Sequence, residues 1–251
     1  MASLLPSPIH LVPLAQALGI TAPAVYAAIT YSYNVLVLPP LLAYADDERR
    51  LAKQWLRAYQ YGPVFVPPLL LTSTVTNGAL AGWAFARWIA AGEYGSGVLG
   101  VGAGSGSGSG SLWALGAGIA HAAAVLAFGA IVPYTLAGME KQINGAAKWK
   151  VQMLLAPAFS TPLTEKGRQE AKLGHADGLD EQKKWVMEEG TSPSAFKQSA
   201  RRDWRVWAEG ATMREIVMKW GKWNAVRVPM TILSFVTSTL GMCLSVWEAG
   251  K

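Results

Sequence analysis

Apolar residues come in long blocks separated by shorter polar segments. Four stretches, residues 15–42, 64–86, 112–136 and 228–246, contain no Asp, Glu, Lys or Arg. A helix crossing a hydrocarbon core of about 30 Å needs about 20 mostly apolar residues, so each stretch is long enough to span a bilayer. The pattern predicts an all-α fold: an integral membrane four-helix bundle, read as a single membrane domain over residues 1–251, with a large loop at 137–227. No Lys or Arg precedes Arg49, so the first stretch reads as a span rather than a cleaved secretory signal.

The faces of the spans add detail. Ser234, Ser238, Gly241 and Ser245 recur at near-helical spacing on the fourth stretch, as do Gly116, Ala120, Ala124 and Ala127 on the third. Small residues at that spacing let helix backbones approach closely in lipid, where apolar side chains gain little from each other. Pro39, Pro40, Pro67, Pro68, Pro133 and Pro229 all lie toward one end of their spans. Each proline frees a backbone carbonyl that needs another partner, so these ends either stop the helices or loosen them enough to admit a ligand.

The connections differ in kind. Residues 104–111 form a Gly/Ser run that cannot bury a core and is expected to be a flexible tether. In the large loop, Ser192 and Pro193 predict the start of an amphipathic helix running toward residue 223. Its Arg201, Arg202, Arg205 and Arg214 alternate with Trp204, Trp207, Val217 and Trp220. That pattern fits a helix at an anionic lipid surface or one packed against the bundle.

Charge turns the spans into a topology. Of 22 Lys and Arg, all but Arg87 and Lys251 lie in residues 43–63 and 137–227. The positive-inside rule puts those loops in the cytoplasm and both termini on the luminal or external side, with an intracellular membrane such as the endoplasmic reticulum as the expected location. The net charge of +6 is thus explained by membrane topology and gives no reason to expect nucleic acid. The composition, 51% hydrophobic and 15% charged with a mean hydropathy of +0.23, is too apolar for an ordinary soluble domain.

Familiar catalytic patterns are missing. No HExxH, P-loop or GxSxG pattern occurs. His10, His121 and His175 are too scattered for a metal, and Cys243 stands alone. An enzyme built from this chain is expected to have no metal and no tightly bound cofactor. His121 is the one imidazole within a span, where it serves either as a base or as a neutral hydrogen-bonding group between helices.

Three separated motifs carry a resemblance. Gln54-Trp55-Leu56-Arg57-Ala58-Tyr59-Gln60-Tyr61-Gly62 precedes Pro67-Pro68, Pro133-Tyr134-Thr135 follows, and Lys222-Trp223-Asn224-Ala225-Val226-Arg227 closes the set. Their order and placement at helix ends resemble the membrane anthrone oxygenases, four-helix membrane proteins that include noranthrone monooxygenase and other oxygenases of fungal aromatic polyketide pathways. The family usually follows its proline-aromatic-threonine motif with a proline-threonine-asparagine group. This chain has Lys141-Gln142-Ile143-Asn144 there, without the proline and shifted by one residue.

The resemblance implies a cofactor-independent monooxygenase of secondary metabolism that oxidises an anthrone to an anthraquinone with O2. It implies aromatic walls from Trp55, Tyr61, Tyr134 and Trp223, an enolate held by Arg57 or Arg227, and a proton taken by His121 or a tyrosinate such as Tyr61. Asn144 and Asn224 complete the implied site. Arg227 reads equally as a snorkelling interface anchor. The partners implied are the lipid bilayer, the aromatic polyketide substrate, O2 and other pathway enzymes. A competing reading makes the chain a noncatalytic membrane scaffold whose basic loop docks partner proteins or anionic lipid.

Overall fold

A computed structural model describes residues 8–43, 47–96, 107–155 and 199–249. The Gly/Ser run is thus covered only from Ser107, and Ser192, Pro193 and His175 lie outside the described residues. Every regular element among those described is helical: α1 (Pro8–Ser32), α2 (Leu38–Ala43), α3 (Glu48–Ser96), α4 (Ser107–Gly129), α5 (Ile131–Pro133), α6 (Gly145–Leu155), α7 (Arg202–Gly210), α8 (Met213–Ala225) and α9 (Arg227–Ala249). Two π-helices, Tyr33–Val37 and Tyr134–Asn144, join α1 to α2 and α5 to α6. Four helical runs are long and apolar enough to cross a membrane, as the pattern of apolar stretches predicts.

The prolines do not stop these helices. Pro13 and Pro23 sit inside α1, and Pro67 and Pro68 inside the 49-residue α3. Pro39 and Pro40 cannot donate to the carbonyls of Val35 and Leu36, and those two residues fall in the first π-helix. The second π-helix begins directly after Pro133. π segments are rare, are mostly single turns, and often mark functional sites.

The chain folds as two compact units. The first comprises Met1–Ile29, Val66–Val132 and Arg227–Lys251. Here α4 packs along α9, and the two small-residue faces meet: Ser234 Oγ donates to the Ala124 carbonyl at 3.1 Å, and Leu244 lies against Gly116. Tyr26 and Phe128 pack edge to face, with ring centres 5.6 Å apart. Large apolar side chains such as Leu71 and Leu126 remain exposed, as expected of a surface that faces lipid.

The second unit comprises Thr30–Phe65 and Pro133–Val226. Its core gathers Leu51, Trp55 and Leu56 of α3, Met139 and Ile143 of the second π-helix, Val151 of α6, and Met213, Ile216 and Trp220 of α8. The amphipathic helix expected to run unbroken toward residue 223 is two helices. Between them Thr212 caps α8: its hydroxyl accepts from Glu215 N–H at 3.2 Å, and the Glu215 carboxylate accepts from Thr212 N–H at 2.9 Å. Such a capping box satisfies the donors at a helix start and fixes a break where composition alone suggests continuity.

Candidate functional site

The second unit buries a charged cluster around Glu140, which points from the second π-helix. Its carboxylate accepts from Tyr59 Oη at 2.9 Å, Asn144 Nδ2 at 3.1 Å and Ser199 Oγ at 2.8 Å, and forms an ion pair with Lys148. Lys148 is only 4% exposed, and its ammonium lies 5.3 Å from the centre of the Tyr59 ring. Burial alone would push the Glu140 carboxyl up. The Lys148 charge and hydrogen bond, with those from Ser199 and Asn144, outweigh burial and hold the carboxyl below its ordinary value of 4.5. Glu140 lies past the apolar stretch 112–136 and is read as ionised.

Local backbone geometry permits this arrangement. A Cβ on Gly145 would lie 2.5 Å from the Ala200 backbone, so glycine is what lets residues 199–201 run against the end of the π-helix. There Ser199 Oγ also donates to the Glu140 carbonyl at 3.0 Å, and Arg201 N–H donates to the Lys141 carbonyl at 2.9 Å.

Aromatic side chains surround the charges. Trp55 stacks on Tyr59 with ring centres 5.0 Å apart and meets Trp220 edge to face at 6.1 Å. Trp220 Nε1 donates to Asn144 Oδ1 at 3.0 Å, tying the indole to the polar cluster. Tyr134 stacks over Trp223 at 6.3 Å and donates its hydroxyl to the Trp223 carbonyl at 2.8 Å. Trp223 also meets Trp204 edge to face at 6.0 Å.

The residues singled out from sequence therefore divide. Trp55, Tyr134, Asn144 and Trp223 belong to this aromatic and polar core, and Asn224 is buried on α8 of the same unit. Arg57 is exposed on α3 rather than turned into a pocket. Tyr61 lies on α3, but its side chain falls outside what is described. His121 and Arg227 belong to the first unit, where Arg227 begins α9 half-buried.

His121 sits in a polar knot of its own. Asn77 Nδ2 donates to the carbonyls of Gly19 and Ser73, both at 3.1 Å, so its Oδ1 faces the imidazole and accepts from Nδ1–H at 2.9 Å. That leaves the lone pair on Nε2, which is buried and has no hydrogen-bond partner among the described residues. The ring is seated against Gly241, where a Cβ would come within 2.6 Å of Nε2.

A groove lies elsewhere in the second unit. It measures about 840 Å³ and is lined on α7 and α8 by Val206, Trp207, Met218, Lys219, Lys222 and Trp223, among others. Of the residues predicted to form a pocket it includes Trp223 alone. No group of three His, Cys, Asp or Glu is placed to hold a metal among the described residues.

Sequence reasoning missed Glu140, Lys148 and Ser199. The spacing of Glu140, Asn144 and Lys148, four residues apart each time, was a readable signal of side chains sharing one helix face. Ser199 carries no comparable signal. Comparison with known proteins brings no match to this chain among family models, curated proteins or solved structures.

Proposed function

We propose that this protein is a membrane-bound oxygenase that converts an anthrone to an anthraquinone with O2, and that the aromatic and polar core of the second unit forms part of its substrate region. The observation that carries the reading is a convergence. Trp55 and Tyr59 of the first motif, Tyr134 of the second and Trp223 of the third meet in one core with Asn144, joined through Trp220 and Glu140.

The chemistry asks little of the protein. The anthrone methylene loses a proton, and the resulting enolate passes electrons to O2. One oxygen atom becomes the new carbonyl, and the other leaves as water with the two hydrogens. The protein has to hold a flat ring, accept a proton and stabilise an oxyanion. Indole and phenol rings such as Trp223 and Tyr134 suit the flat substrate, and a side-chain base would take the methylene proton. A cation or hydrogen-bond donor would steady the enolate, and no added cofactor enters the reaction.

We place the polybasic loops in the cytoplasm and both termini in the lumen of an intracellular membrane, on charge distribution alone. A second reading, the noncatalytic scaffold, draws support from the cations Arg201, Arg202, Arg214 and Lys222 exposed on and beside α7 and α8. Oxygen uptake by purified protein supplied with an emodin-type anthrone separates the two. Uptake well above the spontaneous background supports the oxygenase, and uptake equal to background overturns it in favour of the scaffold.

A further inference from the structure

The α7 and α8 groove combines three properties that point to one kind of ligand. Its volume of about 840 Å³ lies within the range of about 300 to 1,000 Å³ usual for small-molecule sites. Its walls are Trp207 and Trp223 with the exposed apolar side chains Val206 and Met218. Its lining carries two cations against one anion, a net positive charge: the Glu215 carboxylate at its edge accepts from Thr212 N–H in the capping box, and neither Lys219 nor Lys222 has a carboxylate within ion-pair distance among the described residues.

Lys219 is also held in place. Its ammonium lies 4.5 Å from the centre of one Trp207 ring and 4.8 Å from that of Trp204. Cation–π contacts of this kind fix where the charge sits without neutralising it, so the lysine stays available to an anion. Lysine is a compact point charge suited to a single oxyanion, whereas a planar, bidentate phosphate site favours arginine. Indole faces favour a ring.

We propose that this groove binds a planar aromatic anion, with its ring against Trp207 and Trp223 and its negative group beside Lys219 and Lys222. Trp223 also stacks on Tyr134 in the buried core, so one side chain is shared by the groove and the proposed substrate region. The identification of such an anion as the oxygenase substrate or product rests on the oxygenase reading; the binding chemistry does not.

The test uses the full chain in nanodiscs of zwitterionic lipid, with anthraquinone-2-carboxylate as probe and neutral anthraquinone as comparator, followed by tryptophan fluorescence quenching. The carboxylate is expected to bind more tightly than the neutral ring, with an affinity that falls as salt rises. Lys219→Met and Lys222→Met are each expected to weaken the carboxylate by about tenfold, the loss of one charge-assisted contact, and to leave the neutral ring unchanged. Equal binding of the two probes, or unaltered carboxylate binding in both variants, overturns the site. Charge-dependent binding without anthrone-driven oxygen uptake by the wild type sinks the oxygenase and keeps the groove; uptake with unaltered binding in both variants does the reverse.

Discussion

The two units bury polar groups in opposite ways. In the first, the buried hydrogen-bonding side chains Asn77, Ser234 and Ser245 carry no charge, His121 bonds to Asn77, and close contacts are made by glycine, alanine and serine. In the second, the buried Lys148 forms an ion pair with the part-buried Glu140, which is 21% exposed, and close contacts are made by indole and phenol rings. The difference follows from the surroundings. Lipid-facing helices gain nothing from apolar contact with each other and associate through backbone proximity and hydrogen bonds. Most of the second unit's sequence lies outside the four apolar stretches; where such a chain meets water, burying large rings gains about 25 cal/mol per Å² of apolar surface, and a charge pair whose hydrogen bonds are made can be accommodated.

The largest expected effect tests the ion pair. Lys148→Met leaves the part-buried Glu140 carboxylate without its cation and is expected to cost about 3 kcal/mol, the low end of the range for a fully buried pair. Replacing both partners, Lys148→Met with Glu140→Leu, is expected to cost far less. Denaturation followed by tryptophan fluorescence measures both, and equal losses in the two variants would contradict the pair. The folded Glu140 carboxyl lies below its unfolded value, so its stabilising contribution is present above the ordinary value of 4.5 and lost as pH falls through the lower folded value. Glu140→Gln should flatten that acid limb.

A smaller effect is expected in the first unit. Gly241→Ala would bring a methyl group within 2.6 Å of His121 Nε2, an overpacking expected to cost about 1–3 kcal/mol. Gly82→Ala, with nothing within 4 Å, should not cost stability and serves as the control. Thermal unfolding in the same nanodiscs compares them; equal melting temperatures would remove the close seat of the imidazole.

The smallest effect sharpens the contrast between the units. A double-mutant cycle on His121→Ala and Asn77→Ala is expected to show a coupling of about 0.6 kcal/mol, the average for hydrogen bonds inside membranes. The same cycle on Glu140 and Lys148 should give a clearly larger value. Similar couplings would mean that the two interiors do not differ as described.

The four apolar runs, the facing small residues of α4 and α9, and the absence of strands from the described residues were all legible in sequence, because they rest on properties local to a segment: length, apolarity and spacing. The second unit was not legible. Its core joins Trp55 to Trp220 and Glu140 to Ser199, pairs separated by 165 and 59 residues, and no local period reports a partner so far along the chain. The break between α7 and α8 depends on reciprocal bonds between Thr212 and Glu215, and composition on either side reads as one helix.

The candidate site divides along the same line. Sequence alone put Trp55, Tyr134, Asn144, Trp223 and Asn224 beside the predicted ends of the apolar stretches, whereas in the structure the helical run through Tyr134 continues to Leu155. Only the tertiary structure decided that Arg57 is exposed, that His121 presents a bare Nε2 to Gly241, and that Glu140 is the acceptor on which Tyr59, Asn144, Lys148 and Ser199 converge. The reason is physical: how exposed a side chain is, and which proton it holds or accepts, depend on neighbours that the chain supplies from distant positions.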